Sequence, residues 1–190
     1  MIRMTMTAAA VSIFALTAAE AATVASGATL ASNDGGIESN DGPSYAVSHG
    51  SYSSEVTTPA SEWVWNGTAV NVDTTYTFTF DLTGYDVSSA SLSGKWGVDN
   101  VGTVALNGTI LDSLNAVVTG NFNSLHDYSA NTGFLAGVNS LVFTLRDVGA
   151  PGAFRATAVV DATAVPLPAS APLLLAAIGG VAALRRKRRG

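Results

Sequence analysis

Tyr76-Thr77-Phe78-Thr79-Phe80-Asp81-Leu82 is the stretch that decides the fold. Large apolar residues occupy every second position, with Thr77, Thr79 and Asp81 between them. In an extended chain successive side chains point to opposite faces, so this alternation describes a strand with one buried side. Leu141, Phe143 and Leu145 repeat the pattern downstream. So do Phe154, Ala156, Ala158 and Val160, interleaved with Arg155, Thr157 and Val159. Asn66-Gly67 and Asn107-Gly108 sit between β-rich arms, and both residue types tolerate positive φ, so tight hairpins are expected there. Each pair precedes a Thr, and turn geometry suffices to explain the resulting Asn-x-Thr triplets. No eleven-residue window of the body has the period of an amphipathic helix. About eight short strands with regular turn signals make the region 59–164 an all-β sandwich. The preceding stretch, 22–58, is rich in Ser, Gly and Asn, has weak periodicity and reads as a polar N-terminal segment.

The charges are segregated. The chain carries nine Lys and Arg against fourteen Asp and Glu, a net of -5. Five of those cations are Arg185, Arg186, Lys187, Arg188 and Arg189, and a sixth is Arg3. Between residues 22 and 165 thirteen acids face only Lys95, Arg146 and Arg155, a net of -10. A body this negative repels nucleic acid, so no nucleic-acid partner is expected. There are no cysteines, which removes disulfides, thiol catalysis and Cys-based zinc sites.

Both ends are apolar, in different ways. Arg3 precedes a twelve-residue run, Thr7 to Ala18, and Ala19-Glu20-Ala21 then supplies a small-x-small cleavage pattern. This reads as a secretory signal peptide over 1–21, a short helix removed by signal peptidase after delivery to the secretion machinery. At the other end stands Val165-Pro166-Leu167-Pro168-Ala169, and from Ala169 to Leu184 there are sixteen uncharged residues. At ~1.5 Å per residue these make about 24 Å of helix, short for a bilayer but within what snorkelling arginines and local thinning absorb. The membrane helix is placed at 171–184 and the basic tail at 185–190. The cationic run keeps the tail cytoplasmic, which puts the body outside the cytoplasm, as the signal peptide also requires.

The C-terminal segment, 165–190, resembles the VPLPA-type branch of the PEP-CTERM sorting signals of Gram-negative bacteria. Those tails join a Pro-containing motif, one hydrophobic helix and an Arg-rich end in this order. The resemblance implies recognition by an exosortase, which cuts near the motif and releases the body toward the cell surface or exopolysaccharide matrix. Two prolines keep 165–168 from continuing the helix and leave an extended substrate at the membrane face.

A second resemblance covers about residues 63 to 161. Its carriers are Ser93-Gly94-Lys95-Trp96-Gly97-Val98-Asp99-Asn100, Val104-Ala105-Leu106-Asn107-Gly108, and Gly133 to Phe143 with Gly137-Val138-Asn139-Ser140-Leu141 at its centre. They resemble the galactose-binding-like jelly rolls that accompany many glycoside hydrolases as sugar-binding, non-catalytic modules. The resemblance implies a jelly-roll sandwich and a polysaccharide partner.

Sugar rings stack their CH faces on aromatic residues and bond through hydroxyls to Asp and Asn. The candidates for glycan contact are Trp63, Trp65, Asp99 and Tyr128, while Trp96 continues the Leu92 face and reads as core. Trp63 and Trp65 share one face across Val64 if the strand is regular, and that face is either core or a stacking platform. The repeats Ser32-Asn33-Asp34-Gly35 and Ser39-Asn40-Asp41-Gly42 bring Asp34, Glu38 and Asp41 within seven residues. Carboxylates of this kind bind Ca²⁺, but the spacing of a calcium loop is absent and Asx-Gly pairs serve as turns. No cofactor is therefore expected, with calcium the only candidate. No Gly-x-Ser-x-Gly elbow, phosphate loop or dinucleotide fingerprint occurs. His49 and His126 fit no metal-ligand pattern and read as solvated loop residues, so no enzyme is expected. The competing reading is a structural or adhesive surface protein with no small-ligand site.

Overall fold

The computed structural model describes residues 20–166. The segments read as a signal peptide and a sorting tail, apart from Glu20, Ala21, Val165 and Pro166, lie outside the described residues. No helix among the described residues is long and apolar enough to cross a membrane.

Among the described residues eleven strands and one short helix follow in chain order. They are β1 (Ala21–Ala28), β2 (Ile37–Ser39), β3 (Tyr45–Ala46), β4 (Val64–Trp65), β5 (Asp73–Asp81) and β6 (Tyr85–Asp99). Then come β7 (Val101–Leu106), β8 (Thr109–Leu114), α1 (Gly120–Asn123), β9 (His126–Ala130), β10 (Val138–Arg146) and β11 (Ala153–Ala164). They form two antiparallel sheets. The front sheet runs β3-β4-β11-β6-β9, with β1 also paired to β11; the back sheet runs β2-β5-β10-β7-β8. From β4 onward the chain passes repeatedly between sheets, so the core is closed by contacts between strands distant in sequence.

The expected alternation holds where it was clearest. On β5, Thr74, Tyr76, Phe78 and Phe80 are buried while Asp73, Thr79 and Asp81 are exposed. β10 buries Leu141, Phe143 and Leu145. Between the sheets Phe143 meets Phe154 at 5.0 Å, Trp96 at 6.0 Å and Tyr128 at 5.8 Å between ring centres, and Tyr76 meets Phe154 at 4.8 Å. Each such ring adds roughly 1.5–3 kcal/mol on leaving water, plus its edge and tilted contacts. Burial raises the Tyr76 hydroxyl to about 12, and Ser44 Oγ hydrogen-bonds it at 3.0 Å.

The structure departs from the sequence reading in four places. The stretch 22–58 is drawn into the sandwich rather than standing outside it. β1 pairs with β11 from Ala21↔Thr163 to Ala28↔Thr157, and β2 pairs with β5. Its small side chains gave little periodicity to read. Asn107-Gly108 does form the two-residue hairpin between β7 and β8, with φ of 49° and 84°, but Asn66-Gly67 does not close one. β4 and β5 belong to different sheets, and the Asn66 side chain instead accepts from Thr68 and donates to Ser39 and Thr74. A four-residue helix, α1, interrupts the β pattern, too short to carry a helical period. β11 is buried on both faces from Ala153 to Ala158, because a strap covers its outer side.

Candidate functional site

The strap is the irregular segment 47–62, laid across the outer face of the front sheet. Arg155, near the start of β11 and only 7% exposed, holds it. Its Nε donates to Ser61 Oγ at 2.8 Å, Nη1 to Ser53 O at 3.0 Å and Nη2 to Glu55 O at 2.8 Å. Tyr52, Trp63, Leu125 and Ala153 form a small second core beneath it. Tyr52 stacks on Trp63 at 4.8 Å, and Trp63 Nε1 donates to Ser53 O at 2.9 Å. A planar guanidinium with a fork of donors suits three acceptors spread along a loop.

Beside the strap the outer face of the front sheet is open. Strand register sets Ser93 of β6 between Ser129 of β9 and Val159 of β11, and Lys95 between Asp127 and Thr157. Two rows of three side chains therefore form a floor, about 10 Å across at the ~4.8 Å strand spacing. Val56, Thr57 and Thr58 of the strap stand at one side, and Leu111 and Asp112 of β8 also line the cavity, whose volume is about 640 Å³. Val56 is 91% exposed.

Lys95 ties the floor together. Its Nζ lies 3.0 Å from Glu55 of the strap and 3.0 Å from Asp127 of the edge strand β9. Hydrogen bonds to Asp127 and then Glu55 raise its pKa, so the ammonium stays charged. Tyr128 lies under the floor. It reaches past Gly94, which has no Cβ to obstruct it, and donates to Thr157 O at 2.6 Å. Trp96 Nε1 donates to Asp112 at 2.9 Å, which fixes the β8 side of the rim to the core.

The residues nominated for glycan contact are not on this surface as open rings. Trp63 and Trp65 are 8% and 7% exposed, and they belong to different clusters, Trp63 beneath the strap and Trp65 with the inter-sheet core. β4 is only two residues long, so strict alternation does not carry across it. Tyr128 is 4% exposed and Asp99 6%. Asp99 accepts from Tyr52 at 3.1 Å, and burial raises its pKa, opposed by the bond from Tyr52. Trp96 is fully buried, as its place on the Leu92 face implied.

Asp34, Glu38 and Asp41 do not converge, and no group of three acidic or histidine side chains suited to a metal occurs among the described residues. Asp34 accepts from Ser32 within its own turn, and Asp41 accepts from Thr74 and Thr75 at the start of β5, which lowers its pKa. His126 is on β9 rather than in a loop, half-buried, with Nε2 2.9 Å from Gly120 O. His49 is an exposed loop residue beside Tyr52.

Sequence reasoning did not find the strap, Arg155 or the trough. The polar alternation Ser91, Ser93, Lys95 was legible, but its flanking by β9 and β11 depends on pairing across more than thirty residues.

No family model matches the chain, and no curated protein matches it. Among solved structures, a family 35 carbohydrate binding module from an environmental isolate aligns at 11% identity and TM-score 0.40, covering 70% of this chain and 97% of that one. CsCBM6-3 from Clostridium stercorarium in complex with cellobiose aligns at 17% identity and TM-score 0.29, covering 65% and 86%. An exo-beta-1,3-galactanase from Phanerochaete chrysosporium with beta-1,3-galactotriose aligns at 12% and 0.33, covering 78% of this chain and 30% of that one.

Proposed function

We propose that this chain is an exported surface protein whose sandwich grips polysaccharide in the trough beside the strap without cleaving it. On this reading signal peptidase removes 1–21, the C-terminal helix holds the precursor in the inner membrane with its basic tail in the cytoplasm, and an exosortase cuts within Val165–Ala169. The body then joins the cell surface or the exopolysaccharide matrix as a galactose-binding-like jelly roll. The tripartite order of motif, apolar run and cationic end supports the sorting half of the reading.

The trough itself carries the binding half. A floor of Ser93, Ser129, Lys95 and Asp127 offers donors and acceptors to sugar hydroxyls. Val159 and the protruding Val56 offer apolar contact to CH faces. Lys95→Met keeps the side-chain length and removes the ammonium. Affinity electrophoresis of the full chain through gels of neutral polysaccharide should show retardation that this variant loses by about tenfold in Kd, about 1.4 kcal/mol. The purely structural or adhesive reading is favoured by one observation, the burial of Trp63, Trp65 and Tyr128. It prevails if no polysaccharide retards the wild-type chain.

A further inference from the structure

The charges around the trough, taken together, point to the kind of glycan that fits it; this step rests on the glycan-binding reading above. We infer that the trough takes amine-bearing polysaccharide in preference to neutral chains, and rejects chains of uronic acids. Asp127, with its side chain 81% exposed, and Asp112 both line the cavity, and Glu55 reaches its floor through Lys95. Against these three carboxylates stands one ammonium, already bound to two of them at 3.0 Å.

The remaining cations among the described residues are engaged elsewhere. Arg146 bonds Asp73 at 2.6 Å on the back sheet, and Arg155 is buried in the strap contact. An incoming uronate therefore meets no uncommitted cation and three negative groups, inside a body of net -10. An incoming ammonium meets Asp127, whose carboxylate has about four lone-pair sites of which Lys95 occupies one. Charge of one sign in a concave site raises the local concentration of the opposite sign and turns like charge away.

The full chain, held in a polyoxyethylene detergent that presents no sugar, is titrated with chitosan, dextran, alginate and poly-L-lysine at low salt. Chitosan should bind at least about tenfold more tightly than alginate, with dextran between. The gap should narrow as salt rises above 0.1 M, where the screening length is about 10 Å. Asp127→Asn should weaken chitosan binding several-fold, while Glu38→Gln on the back sheet, an equal change in net charge, should leave it unaltered. Alginate binding as tightly as chitosan overturns the inference and leaves glycan binding standing. Equal losses in Asp127→Asn and Glu38→Gln reduce the effect to net charge and overturn the site. Poly-L-lysine bound more tightly than chitosan, with loss in Asp127→Asn, reassigns the trough to basic polypeptide. Binding to none of the three polysaccharides removes the glycan-binding reading itself.

Discussion

Arg155→Met tests whether one buried cation holds the wall of the trough. Methionine preserves most of the stem that Arg155 buries in β11 and removes the guanidinium. Three hydrogen bonds disappear, to Ser61 Oγ, Ser53 O and Glu55 O. Bonds from a charged donor are worth about 1.5–3 kcal/mol each, which would give a large total. Two effects reduce it: the strap is near the surface and rehydrates when released, and the desolvation of the guanidinium is relieved. The net loss should be about 2–4 kcal/mol, because the stacking of Tyr52 on Trp63 survives only in part once Ser53 is free. For a domain of this size that lowers Tm by roughly 10 °C. Urea unfolding followed by tryptophan fluorescence measures the loss, and limited proteolysis should reveal new cleavage within 47–62. Arg155→Lys should recover little, since one ammonium cannot serve three spread acceptors. A variant within about 0.5 kcal/mol of wild type, with the strap still protected, refutes the role given to Arg155.

Three further outcomes follow from the packing and the carboxylates. Phe143→Ala removes the ring that joins Trp96, Tyr128 and Phe154 and should cost about 3–5 kcal/mol in urea unfolding, close to abolishing the fold. Asn107→Ala loses bonds to Gly133 O, Asn139 and Ser140 N and strains a φ of 49°, so about 2–3 kcal/mol should go, whereas Asn66→Ala, outside any hairpin, should cost less. The pH dependence has two parts of opposite sign. Asp41, Asp73, Asp81 and Asp86 have pKa values lowered by hydrogen bonds, so the stability they contribute is complete above 3.8 and is lost as pH falls through their folded values. Asp99 is raised by burial, so it favours the fold at low pH and withdraws that support as pH rises from 3.8 through its folded value. Asp99→Asn should therefore match or exceed wild-type Tm at pH 7 and fall relative to it near pH 3, as a series of melts in matched buffers would show.

What could be read from the sequence was what a single strand reveals by itself. Tyr76 to Leu82 declares its buried face because large apolar and small polar residues alternate without interruption. Asn107-Gly108 declares its turn because its two flanking strands are also partners. Asn66-Gly67 has the same local chemistry but joins strands of different sheets, a fact of topology that no local pattern encodes. β1 was illegible because alanine, serine and glycine contrast too little in size and polarity. The strap was illegible because Arg155 holds it chiefly by backbone carbonyls, which every residue has. Trp63 and Trp65 stayed open for a related reason: aromatic residues at a strand end suit a sugar platform and a core equally, and only the fold buries both, Trp63 beneath the strap and Trp65 between the sheets.

Export and sorting of an intact β body is the central claim, and intact-mass spectrometry tests it directly. The chain is expressed in a Gram-negative host that carries an exosortase, and in the same host with that gene deleted, and recovered from each cell fraction. A surface or matrix form beginning at Ala22 and ending within Val165–Ala169 is expected from the first host. Without the exosortase, a membrane form should begin at the same residue and keep its tail through Gly190. A single cytosolic species of full length, with 1–21 and 185–190 attached in both hosts, would contradict the claim.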